Sequence, residues 1–161
     1  MNELYKAQNI NTESRIGAIF TCIFILQNRL QTAGEKIQTE ITMKQWLLLA
    51  MAHTCPEPRT LTKVGELMGC SRQNVKKLAL VLQNKGYLQL CEGHNNSLNI
   101  HFTDKMHEYM KGMTERHVNT LKLLFADFTE EEIQQMFSLM GKLCDGVERV
   151  EEYAEQLKGK A

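Results

Sequence analysis

Net charge, a membrane-length apolar run, paired cysteines and the common phosphate-loop and nucleophile motifs are all missing from this chain of 161 residues. The apolar run Ile19–Leu26 is far short of the ~20 residues that cross a bilayer, so no membrane association is expected. The opening Met-Asn-Glu-Leu-Tyr-Lys lacks the basic-then-apolar layout of a secretory signal, which points to the cytoplasm and makes the sequon Asn95-Asn96-Ser97 accidental. Five cysteines, Cys22, Cys55, Cys70, Cys91 and Cys144, are odd in number and scattered without a CxxC pair. That is the usage of reduced thiols, not of a disulfide framework. No glycine-rich phosphate loop, nucleophile elbow or pair of carboxylates in an apolar setting is present, so an enzyme is not expected. Cys91, His94 and His101 gather near one hairpin, and His107 and His117 follow, but neither set has the i, i+4 spacing or paired loops of a zinc site. Neither metal nor cofactor is expected.

The zero net charge hides a segregation. Arg59, Lys63, Arg72, Lys76, Lys77 and Lys85 stand against the single Glu66 between Arg59 and Gly86, a balance of +5. Between Ala126 and Leu157 nine acids stand against Lys142 and Arg149, a balance of −7. One region can attract phosphate while the other repels it.

Apolar spacing gives the elements. From Thr12, Ile16, Ile19, Ile23, Leu26 and Leu30 recur every three or four residues, with Phe20 and Phe24 widening the stripe, and Gly34 is expected to end this helix. Thr42 with Gln45 forms a capping-box pattern ahead of Met43–Ala52, a helix apolar nearly all round that must stop before Pro56 and Pro58. Leu61, Val64 and Leu67 lie on one face of a short helix, and Gly69-Cys70-Ser71 breaks it. A second helix runs from Ser71 to about Lys85 and stops at Gly86, burying Val75, Leu78, Ala79 and Leu82 and turning Gln73, Lys76, Lys77, Leu80 and Asn84 outward. Two strands, Tyr87–Cys91 and Leu98–Phe102, flank the turn-rich Glu92–Ser97. Thr103 then opens a helix to about Phe125, and Thr129 with Glu132 caps a last one. Its seam, Ile133, Met136, Met140, Leu143, Val147, Val150, Ala154 and Leu157, is more than one chain of this size can cover, so a partner chain is expected on it.

The fold class is therefore mainly α with a small β-hairpin wing: a winged helix-turn-helix with long helices at both ends, whose second module helix would enter the DNA major groove. On that helix Gln73 and Asn74 can bond adenine in bidentate fashion and Arg72 can bond guanine, each such pair discriminating by ~1–3 kcal/mol. Lys76 and Lys77 suit phosphates, as do the free N–H groups at Ser71.

The whole layout from Thr12 onward resembles the multiple-antibiotic-resistance regulator (MarR) family of bacterial repressors. The best matching stretches are Ile41–Leu49, Leu61–Gly69, Ser71–Leu78 and Leu82–Leu88, with Phe102-Thr103 where the family usually has Leu-Thr. The resemblance implies one MarR-like domain over 1–161, with a winged-helix DNA-binding module at 42–102 and dimerisation helices at 12–34 and 103–157. It implies a homodimer joined through Ile16, Ile133, Met140, Val147, Val150 and Leu157, bound to a near-palindromic operator in double-stranded DNA and acting as a repressor. It also implies a small aromatic or amphipathic effector, for which Phe20, Phe24, Trp46, His53, Met106, His107 and Met110 are the candidate lining. The wing departs from the family pattern: it is short and lacks the usual arginine, leaving His94, Asn95 and Asn96 as its candidate DNA contacts.

Two other readings stand beside a ligand-responsive regulator. The arginine-free wing suits a protein–protein interaction module without DNA binding. Cys70, just ahead of a helix N-terminus, suits a thiol redox sensor, although a small turn residue accounts for it as well.

Overall fold

A computed structural model describes residues 11–38, 40–94 and 97–159. Helix α1 covers Thr12–Ile37, opened by the Asn11 side chain, which accepts a hydrogen bond from the Ser14 amide at 2.8 Å. It does not end at Gly34. Gly34 is buried, and a Cβ there would collide with the Met43 side chain, so this glycine lets the next helix approach and does not stop its own.

Helix α2, Met43–Thr54, starts with the complete capping box: the Thr42 hydroxyl accepts from the Gln45 amide and the Gln45 side chain accepts from the Thr42 amide, both at 3.2 Å. Its apolar surface is one-sided: Leu48, Leu49 and Ala52 are fully buried, whereas Leu47 is 37% exposed. Helix α3 is Leu61–Met68. Leu61 and Val64 are buried as expected, but Leu67 is 52% exposed and Gly65 takes the inner position instead. The chain turns back tightly after Gly69, and a Cβ at residue 65 would stand only 2.7 Å from the Cys70 carbonyl oxygen, so only hydrogen fits there.

Helix α4 spans Arg72–Asn84, and Gly86 after it takes the left-handed conformation, φ 80°. Strands β1 (Leu88–Glu92) and β2 (Leu98–Phe102) pair antiparallel in the register Leu88–Phe102, Leu90–Ile100 and Glu92–Leu98. Leu88 and Ile100 face the core, and Gln89 and His101 face outward. The loop before α3 adds a short edge to this hairpin, with Thr60 bridged to Asn99 and the Ile100 amide donating to the Arg59 carbonyl at 2.9 Å. One buried cluster, including Leu48, Leu49, Leu61, Val64, Val75, Ala79, Leu82, Tyr87, Leu88, Ile100 and Met106, joins α2, α3, α4, the hairpin and the segment just after it.

Helix α5 is Asp104–Leu124 and α6 is Glu130–Lys158, the latter opened by the expected Thr129–Glu132 capping box. The chain divides into two compact units, Met1–Thr114 and Glu115–Ala161, with the boundary inside α5.

Candidate nucleic-acid interface

The turn between α3 and α4 follows from three residues. Gly69 caps α3 in the left-handed conformation, φ 61°, and its amide donates to the Glu66 carbonyl at 3.2 Å. The Cys70 amide donates to the Gly65 carbonyl at 2.9 Å, and the Ser71 hydroxyl accepts from the Asn74 amide at 3.3 Å, starting α4. Val75, Ala79 and Leu82 then anchor one face at 0% exposure. The opposite face therefore turns outward: Ser71, Arg72, Gln73, Asn74, Lys76 and Lys77 are all exposed, as are Leu80 and Asn84.

The far end of α4 is held by a polar junction. The Lys85 ammonium donates to the Glu40 carbonyl at 2.8 Å and to Gln45 Oε1 at 3.3 Å, and the buried Tyr87 hydroxyl donates to the Glu40 carboxylate. Lys105 lies 4.5 Å above the Tyr87 ring and donates to the Lys85 carbonyl at 2.8 Å, while Tyr109 donates to Gln38 Oε1 at 2.9 Å. Desolvation first, then the bond and charge of Glu40, push the Tyr87 phenol well above its ordinary value.

Several cations of the basic stretch are engaged by partners of their own. Lys85 is committed to this junction, Lys63 donates to the Pro58 carbonyl at 3.3 Å, and Arg59 pairs with Glu57 at 2.6 Å while lying 5.2 Å from the Phe102 ring centre. Lys76 and Lys77 make no ion pair among the described residues. The sequence reading missed Lys44, which α2 carries to the same hollow as Asn74 and Lys77. No local motif marks it, because it is a single lysine on an otherwise apolar helix.

In the wing, His94 is exposed, whereas Asn95 and Asn96 lie outside the described residues. The Gly93 amide donates to the Ser97 carbonyl at 2.8 Å and closes the turn. The candidate effector residues are dispersed. Phe20 and Phe24 pack edge to face at 5.1 Å on the exposed side of α1, while Met106 is 1% exposed and Trp46 and Met110 pack against the core. His53 and His107 both neighbour Phe102, at 6.2 and 6.4 Å between ring centres. Ile16, Ile133, Met140, Val147, Val150 and Leu157 are exposed on α1 and α6. Among the described residues no group of three or more His, Cys, Asp or Glu could hold a metal, and no described helix is long and apolar enough to cross a membrane.

No protein-family model and no curated protein matches the chain by sequence. Solved structures do match it by shape. A MarR/EmrR family transcriptional regulator from Acinetobacter sp. ADP1 superposes with a TM-score of 0.72 at 21% identity, covering 87% of this chain and 99% of that one. The S. aureus MepR–DNA complex gives 0.67 at 17% identity, covering 85% and 99%. PcaV from Streptomyces coelicolor, in complex with its natural ligand, gives 0.65 at 18% identity, covering 86% and 98%. A mainly helical chain with this turn, this hairpin and these long helices thus has the winged-helix fold of the MarR-family transcriptional regulators.

Proposed function

We propose that this chain is a sequence-specific DNA-binding transcriptional regulator of the cytoplasm, not an enzyme, acting as a homodimer on a near-palindromic operator. The observation that carries the reading is the outward face of α4. Gln73, Asn74 and Arg72 offer base-reading groups, Lys76 and Lys77 offer phosphate contacts, and the opposite face is locked into the core by Val75, Ala79 and Leu82. The fold shared with a regulator solved on DNA supports it. Dimerisation is supported by the exposed apolar residues of α1 and α6, which need a cover.

The regulator acts as a repressor, occluding its operator and releasing it when a small aromatic or amphipathic effector alters the spacing of the two recognition helices. A neighbour of the same fold solved with its natural ligand supports an effector. The first test is selection of genomic fragments by the purified protein, followed by footprinting. An inverted repeat with half-site centres about 10 bp apart is expected. If folded protein enriches no fragment at low salt, the chain is instead an interaction module, the reading that its arginine-free wing favours.

Single substitutions separate the two kinds of contact. Lys77→Ala is expected to weaken binding to all sequences alike, and Gln73→Ala to relax preference at particular base pairs at a cost of about 1–3 kcal/mol. Operator preference left intact by Gln73→Ala, measured by competition binding, would show that α4 is not oriented as proposed.

A further inference from the structure

Between the flank of α4, α2 and the end of α3 lies a hollow of about 380 Å³, within the usual size of small-ligand sites. Its lining is divided chemically. Leu47, Met68, Cys70 and Leu78 are its apolar and sulfur-bearing residues, while Lys44, Lys77 and Asn74 are its polar ones. No carboxylate lines it, and neither lysine is in an ion pair among the described residues. Leu47 stays 37% exposed there although Leu48 and Leu49 beside it are fully buried.

A DNA phosphate would use the two lysines but gain nothing from the apolar floor. Cations and floor together fit an organic anion. The floor holds no ring for an aromatic ligand to stack on, and Met68 can adapt its shape to a flexible chain. We infer that this hollow binds a medium-chain aliphatic carboxylate, its chain on Leu47, Met68 and Leu78 and its carboxylate shared between Lys44 and Lys77. Asn74 and Lys77 also belong to the proposed DNA face, so an occupied hollow excludes DNA by direct competition. That consequence, though not the site, rests on the DNA-binding reading.

The test uses the full chain with octanoate as the probe and Cys70 as the reporter. Alkylation of Cys70 by N-ethylmaleimide, followed by peptide mass spectrometry, is expected to slow as octanoate rises below its micelle threshold, while the exposed Cys91 keeps its rate. Uncharged 1-octanol is expected to protect less. Lys44→Met and Lys77→Met, both at exposed positions, should each raise the octanoate concentration for half-protection about three- to fivefold, with unchanged circular dichroism. Cys70 alkylation indifferent to octanoate, or protection undiminished in the Lys44→Met/Lys77→Met double variant, overturns the site. In a second arm, octanoate should release a bound genomic fragment over the same concentrations that protect Cys70. Protection of Cys70 without release of DNA overturns the competition, whereas protection in a protein that binds no DNA upholds the site and removes the DNA-binding reading alone.

Discussion

A hydrogen atom at residue 65 decides how tightly the chain can turn from α3 into α4. A Cβ on Gly65 would stand 2.7 Å from the Cys70 carbonyl oxygen, a backbone atom that cannot swing aside. Gly65→Ala is therefore expected to cost about 1–3 kcal/mol of stability, read from urea melts, and to loosen the start of α4 with it. Tyr87 gives a second residue-scale prediction. Its phenol, 1% exposed and bonded to Glu40, holds its proton more tightly when folded than the ordinary value of 10.0 allows. The unfolded chain loses that proton first, so Tyr87 contributes stability that is fully present below pH 10 and declines as pH rises above it, by up to about 1.4 kcal/mol per pH unit. Melts of the native chain and Tyr87→Phe on either side of that pH check it: the variant should cost about 1 kcal/mol at neutral pH and show a shallower alkaline loss. The polar types at Gln73 and Lys77 were legible in the sequence because a solvated helix face needs no distant partner. The commitment of Lys85 was not, since its partners Glu40, in the loop before α2, and Gln45, on α2, are 45 and 40 residues away.

Helix α6 repeats its apolar residues on a seven-residue period: Ile133, Met140, Val147 and Ala154 alternate with Met136, Leu143, Val150 and Leu157. A strict heptad on an α-helix marks a seam for a partner helix wound left-handed about it. Ile133, Met136, Met140, Val147, Val150 and Leu157 are all more than 40% exposed in the single chain. Val147→Glu is expected to shift the sedimenting species from dimer to monomer and to weaken operator binding as a consequence, because each half-site then binds alone. An unchanged dimer would move the interface away from α6. The starts of α2 and α6 were readable in advance, since a capping box closes within four residues of chain. The end of α1 was not. Gly34 has the composition of a stop signal, but its purpose is the approach of Met43, which only packing creates.

Charge is a whole-molecule matter in this protein. The chain sums to zero, yet the residues of +5 balance fall in Met1–Thr114 and those of −7 balance in Glu115–Ala161. Attraction of DNA phosphate by the proposed face of α4 must then be local to Met1–Thr114 and strongly dependent on salt. The expected plot of log affinity against log salt has a slope of about −0.9 per phosphate neutralised, and Lys76→Ala should flatten it by about one. Retention on a polyanion column at low salt is the quick version of the measurement, and flow-through of folded protein would point to an interaction module.

The sequence by itself determined the order and type of the elements, the caps, the hairpin alternation and the outward face of α4. Each depends on residues a few positions apart, where backbone geometry alone sets the period. Tertiary structure decided which cations are engaged by partners, that Leu67 faces out and Gly65 in, that Gly34 joins helices instead of ending one, and that Lys44 shares a hollow with Lys77. Those outcomes depend on how closely two helices cross and on partners remote in sequence, and neither is written in any local pattern.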